Sequence, residues 1–162
     1  MIKKNKIRLL FICLGNICRS PAAEGVMKAI VQRAGRADAY HIDSAGIGNW
    51  HVGQLPDSRM RKHGAARGYR FDSRAQQFTP ADFERFDYIL VMDHDNFRAV
   101  TAKAPTATDA AKVKMLTDYL QHHAETDIVP DPYYGDSADF NYALDLIEDA
   151  CAGLFKALQK DE

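Results

Sequence analysis

The stretch IRLLFICLGNICRSP, Ile7 to Pro21, decides the architecture. Ile7 to Cys13 is apolar but for Arg8, which is the pattern of a strand covered on both faces. Ser20-Pro21-Ala22-Ala23-Glu24 then reads as a helix start, with Ser20 as cap, Pro21 at the first helical position and Glu24 in the first turn. Between them lies only a tight loop. A strand that passes through a short loop into a helix is the opening unit of a parallel sheet, with the loop at the strand's carboxyl end.

The alternation continues down the chain. Val26, Met27, Ile30 and Val31 give the first helix an apolar stripe, and Gly35 is its expected stop. Residues 40–45 read as a strand, 46–56 as a loop, and 57–66 as a helix ending near Gly68. Thr79-Pro80-Ala81-Asp82 resembles a second capped start, followed by a buried strand over 87–92, a short helix over 96–102 and a weaker strand over 112–116. In the last helix Phe140, Leu144, Ile147, Cys151, Leu154, Phe155 and Leu158 fall on one face. Strands alternating with helices predict an α/β fold with a parallel sheet, and in such sheets ligands bind beyond the carboxyl ends of the strands. Cys13 stands at such an end.

Composition narrows the function classes. At 162 residues the chain is expected to form one domain, 1–162, large enough to bury a core without cross-links. A formal charge of −1 gives no reason to expect nucleic acid or an anionic membrane as partner. Three unevenly placed cysteines, Cys13, Cys18 and Cys151, fit a reducing compartment better than a disulfide framework. The basic start Met1 to Lys6 is followed by an apolar run that Arg8 interrupts, which reads as a first strand rather than a leader. No apolar run approaches the length of a membrane span. The expected location is the cytoplasm.

The loop from Leu14 to Arg19 has the chemistry of an anion cradle. Successive backbone N–H groups in a tight turn, feeding a helix N-terminus, concentrate partial positive charge. Gly15 and Asn16 tolerate the left-handed angles such a turn needs. Arg19 offers a planar fork for two oxygens at once. A cysteine at the mouth of that cradle is favoured as its thiolate and faces whatever tetrahedral oxyanion the loop holds. Phosphoryl transfer from an ester also needs a proton donor for the leaving oxygen. Asp131 in PDPYYGD, Pro130 to Asp136, is the candidate, braced by two prolines and flanked by Tyr133 and Tyr134 as flat apolar walls.

Together these segments resemble the low-molecular-weight protein tyrosine phosphatase family. The match runs through Leu10 to Pro21, Asp43-Ser44-Ala45-Gly46, Ala75 to Thr79, Phe86 to Asp93, Asn96 and Asp131 to Gly135, in that order. The resemblance implies a three-layer sandwich, with a four-stranded parallel sheet flanked by helices. It implies Cys13 as nucleophile, Arg19 as phosphate ligand and Asp131 as general acid and then base. The phosphate loop would comprise Leu14, Gly15, Asn16, Ile17, Cys18 and Ser20, with Ser20 bonding the thiolate and Ser44 supporting Asn16. Trp50, Tyr133 and Tyr134 would line the substrate cleft, and Cys18 would trap oxidised Cys13 as a disulfide. No metal and no cofactor is implied, and the implied partners are tyrosine-phosphorylated proteins or peptides. One departure is Ser73, where some relatives carry histidine.

Rival readings stay on the table. Asp93 is either a helix cap or an indirect support of the site, and His51 has no assigned role. His122, His123 and Glu125 lack metal-site spacing. An arsenate reductase of similar fold would carry a redox pair mid-chain, and none lies between Cys18 and Cys151. A binding module without turnover has no need of both Cys13 and Asp131. Phosphoarginine is an alternative substrate, but relatives that prefer it tend to carry threonine where this chain has Ile17.

Overall fold

A computed structural model describes residues 6–160, so Met1 to Asn5 and the two ends of the expected 1–162 domain lie outside the described residues. Strand β1 (Ile7–Cys13) is followed by helix α1 (Arg19–Arg33), strand β2 (Tyr40–Gly46) and helix α2 (Ser58–Ala66). The short α3 (Asp82–Arg85) leads into β3 (Tyr88–Val91) and α4 (His94–Thr101). A four-residue α5 (Ala107–Ala110), β4 (Val113–Met115) and the long α6 (Ser137–Lys160) complete the fold. The four strands form one parallel sheet in the order β2-β1-β3-β4. The expected α/β sandwich with a four-stranded parallel sheet is the observed one.

Its core follows from the two-residue period of β1. Leu9, Phe11 and Cys13 face one side, where they join Val26 and Met27 of α1 and Leu144, Ile147 and Leu154 of α6. Leu10 and Ile12 face the other, against Phe78, Phe83, Phe86 and Val100. Each fully buried side chain of this kind contributes about 1.5–3 kcal/mol of transfer free energy. From β1 the chain runs to β2 on one side and then crosses back to β3 on the other, so the strand order reverses at β1. The carboxyl ends of β1 and β3 therefore open the crevice in which α/β sheets bind ligands.

Two expected caps are corrected. Helix α1 starts at Arg19, not Pro21, and no side chain caps it. The Ser20 hydroxyl is turned away to Cys13 and Asn16, so the site takes the group that local sequence assigns to the helix. At α3 the cap is reversed, with Asp82 accepting from the Thr79 N–H at 2.9 Å. Asp57 caps α2 and Asp93 caps α4, through the N–H groups of Arg59 and Asn96. The 3-10 turns Ala37–Ala39 and Leu116–Tyr119, and α5, have no counterpart in the sequence reading.

Candidate active site

The loop after β1 is held from outside by its own carbonyls. Those of Cys13, Leu14, Ile17 and Cys18 accept from the N–H groups of Ile47, Gly48, Asp57 and Ala22. Among the described residues no peptide is cis, so each following N–H, from Leu14, Gly15, Cys18 and Arg19, points the opposite way, into the loop. Asn16 has φ of 58°, a left-handed conformation that costs an ordinary residue about 1–2 kcal/mol. Its amide offsets that cost with three hydrogen bonds, two of them buried. Nδ2 donates to Ser20 Oγ at 2.8 Å and to Ser44 Oγ at 3.0 Å, while Oδ1 accepts from Gln76 N at 2.9 Å. Ser44 in turn donates to buried Glu24 at 2.6 Å, and Glu24 accepts from Lys28. Gly46 is fixed by contact, since a Cβ there would meet the Gly15 carbonyl carbon at 2.9 Å.

At the loop's mouth Cys13 Sγ lies 3.0 Å from Ser20 Oγ. Ser20 already accepts from Asn16, and its alternative acceptor, the Ala45 carbonyl, is 3.4 Å away. A thiolate has no proton to give, so with ionised Cys13 it is Ser20 that donates.

Arg19 is the main buried charge, with its side chain 3% exposed. Nη1 donates to Asp93 Oδ2 at 2.7 Å and to the Val129 carbonyl at 2.9 Å, and Nη2 lies 3.6 Å from Asp131 Oδ2. Nε is buried and has no hydrogen-bond partner. A buried unspent donor costs about 1–3 kcal/mol, more on a charged group, and an oxyanion in the loop would satisfy it. Burial by itself disfavours the charged guanidinium. The charge of Cys13, the Asp93 hydrogen bond and the charge of Asp131 outweigh it and raise the Arg19 pKa above its ordinary value. Asp93 thus does both things the sequence left open, since one carboxylate oxygen caps α4 and the other holds Arg19.

Asp131 stands at the cleft rim, its side chain 39% exposed and its Oδ1 accepting from the Tyr133 N–H at 3.1 Å. The cleft holds about 310 Å³, with Cys13, Gly15 and Arg19 among its lining and Trp50, Tyr133 and Tyr134 as its aromatic residues. Ile17, Cys18 and Leu14 also line it, as does His51, to which the sequence assigned no role. Trp50 folds over Gly48, where a Cβ would come within 2.0 Å of the ring. Leu14, Trp50 and Tyr134 are three of the four exposed large hydrophobic residues among those described, so the mouth is an apolar patch around a polar floor.

The sequence profile of low molecular weight phosphotyrosine protein phosphatases matches residues 8–162. The chain belongs to that family. A low molecular weight protein-tyrosine-phosphatase of Streptomyces coelicolor is 43% identical over 154 residues, covering 94% of each chain. The crystal structure of a protein tyrosine phosphatase from Entamoeba histolytica, with Hepes in its active site, superposes with a TM-score of 0.93 at 44% identity, over 96% of this chain and 99% of that one. A Drosophila arginine phosphatase structure superposes at 0.88 with 30% identity, over 96% and 100%. The chain is a phosphatase.

Within it, three residues that sequence reasoning missed support the loop. Sequence places Glu24 in the first turn of a helix; with α1 starting at Arg19 it lies beyond that turn and anchors Ser44. Gln76 adds a side-chain bond to the Ser44 carbonyl at 2.9 Å. The Val129 carbonyl carries no signal in sequence, because any residue has one.

Proposed function

We propose that this phosphatase hydrolyses phosphotyrosine and other aryl phosphate monoesters through a phosphocysteine on Cys13. What supports the reading most is that Cys13, Arg19 and Asp131 line one aromatic-walled cleft, with a donor on Arg19 still unspent. The Cys13 thiolate attacks phosphorus, forming the S–P bond as the P–O bond to the aryl group breaks. Asp131 gives its proton to the leaving phenolate oxygen. Arg19 and the loop N–H groups hold the equatorial oxygens, so most of the catalysis is positioning and charge stabilisation. The Asp131 carboxylate next takes a proton from water as its oxygen attacks phosphorus. The S–P electron pair returns to Cys13, where the Ser20 hydroxyl bonds the released thiolate.

Tyrosine-phosphorylated proteins or peptides are the proposed substrates. Ile17 in the cleft presents hydrocarbon where an aryl ring would rest, which favours them over phosphoarginine. A reducing cytoplasm suits three free cysteines. Under peroxide, Cys13 becomes a sulfenic acid and the Cys18 thiol displaces its oxygen as water, closing a reversible disulfide.

The test is steady-state hydrolysis of p-nitrophenyl phosphate with a chelator present. Wild type is expected to turn over and Cys13→Ser to lose all activity. Absence of turnover by folded, reduced wild type would overturn the proposal. A higher kcat/KM on phosphoarginine than on phosphotyrosine peptides would overturn the substrate assignment alone.

A further inference from the structure

Asp131 sits on a loop, and a loop carboxyl more than a third exposed needs something to aim it. The described contacts supply one route. The Asp57 N–H donates to the Ile17 carbonyl at 2.8 Å, seating Asp57 against the phosphate loop. Its carboxylate grips Arg59 through two oxygens, accepting from Nε at 3.1 Å and from Nη2 at 2.9 Å. The same Nη2 donates to the Tyr133 carbonyl at 3.0 Å, and the Tyr133 N–H donates to Asp131. The guanidinium carbon also lies 4.7 Å from the Phe140 ring centroid and 5.4 Å from that of Tyr133, within cation–π range of both.

We infer that Asp57 and Arg59 are positioning residues that tie the Asp131 loop to the phosphate loop and so aim the proton donor. The inference rests on the reading of Asp131 as general acid. A bidentate pair has the stiffness for this task, because the planar fork fixes direction as well as distance. Burial on its own would raise the Asp57 pKa. The hydrogen bonds from Arg59 outweigh it and hold the carboxyl below its ordinary value, which favours the charged pair. Phe140, buried at the start of α6, gives the guanidinium a fixed platform.

A misaimed acid hurts most where the leaving oxygen is most basic. Arg59→Met is expected to lower kcat/KM about tenfold or more on phenyl phosphate, but less than about threefold on p-nitrophenyl phosphate, whose leaving group departs unaided. Asp57→Asn, which keeps the backbone bond to Ile17, is expected to show the same slope at smaller size. Arg59→Lys, retaining charge without the fork, should recover only part of the loss. Near-ultraviolet circular dichroism checks that each variant is folded. In an Asp131→Asn background, Arg59→Met should add no further loss, since both act on one proton transfer.

Equal losses on both substrates, or full additivity with Asp131→Asn, would overturn the tie. If Asp131→Asn itself showed no leaving-group dependence, the general-acid reading would fall and the tie with it. Leaving-group dependence in Asp131→Asn but none in Arg59→Met or Asp57→Asn removes the tie alone.

Discussion

Three cysteines meet three environments, and their thiols are expected to react accordingly. Burial, followed by the charges of Asp57, Cys13 and Asp131, pushes the Cys18 thiol far above its ordinary value. Cys151 is pushed up as well, by complete burial on the apolar face of α6. Both stay protonated at neutral pH and are poor nucleophiles. Cys13 instead faces Arg19 and the loop N–H groups at the cleft floor. Iodoacetamide at neutral pH is therefore expected to label Cys13 first, with inorganic phosphate slowing the reaction. Peptide mapping of a partly labelled sample checks this, and equal labelling of Cys18 would contradict it. The same asymmetry gives Cys18 the slower step in any disulfide closure, since it must lose its proton to attack.

Elements are joined to one another by a few polar contacts, and the join between α2 and α6 is the clearest. Just past α2, Tyr69 donates to Glu148 at 2.6 Å, and Arg67 pairs with Glu148 and with Asp145. Burial first, then the bond to Glu148 and its charge, raises the Tyr69 pKa to about 12. A phenol whose folded pKa lies above its unfolded value of about 10 contributes stability that is complete below pH 10. That contribution is lost as pH climbs toward 12. Phenolate absorbance should accordingly show a component titrating near 12 that Tyr69→Phe removes, and the variant should be less stable than wild type at pH 8, with the gap closing in alkali. Helix ends also show where sequence reading fails. Asp57 and Asp93 sit where an N-cap belongs and cap their helices. Ser20 has the same local credentials, but the buried demand of Asn16 and Cys13 outweighs a solvent-facing cap.

Across the whole molecule, the legible parts were those written in side chains. The run Leu9 to Ile12, the stripe of α6 and the pairing of Cys13 with Arg19 carry their meaning in residue type and spacing. The structure brings Cys13, Arg19, Asp131, Trp50, Tyr133 and Tyr134 to one cleft. What escaped was written in backbone, such as the Val129 and Ile17 carbonyls, or needed two distant segments at once, such as Glu24 with Ser44. Core stability should be dominated by the layer under α6. Ile147→Ala is expected to cost about 2–5 kcal/mol by urea unfolding, a large share of the roughly 5–15 kcal/mol that holds such a domain together. A cost below about 1 kcal/mol would mean the α6 layer is looser than its burial implies. One further consequence lies in the span of Arg19, whose backbone-carbonyl partner at Val129 is 110 positions away. A ribosome delivers Cys13 and the loop after it early, and the proposed proton donor late. A chain halted before Asp131 would own the proposed nucleophile without the proposed acid, so on that reading full turnover waits for the later segment.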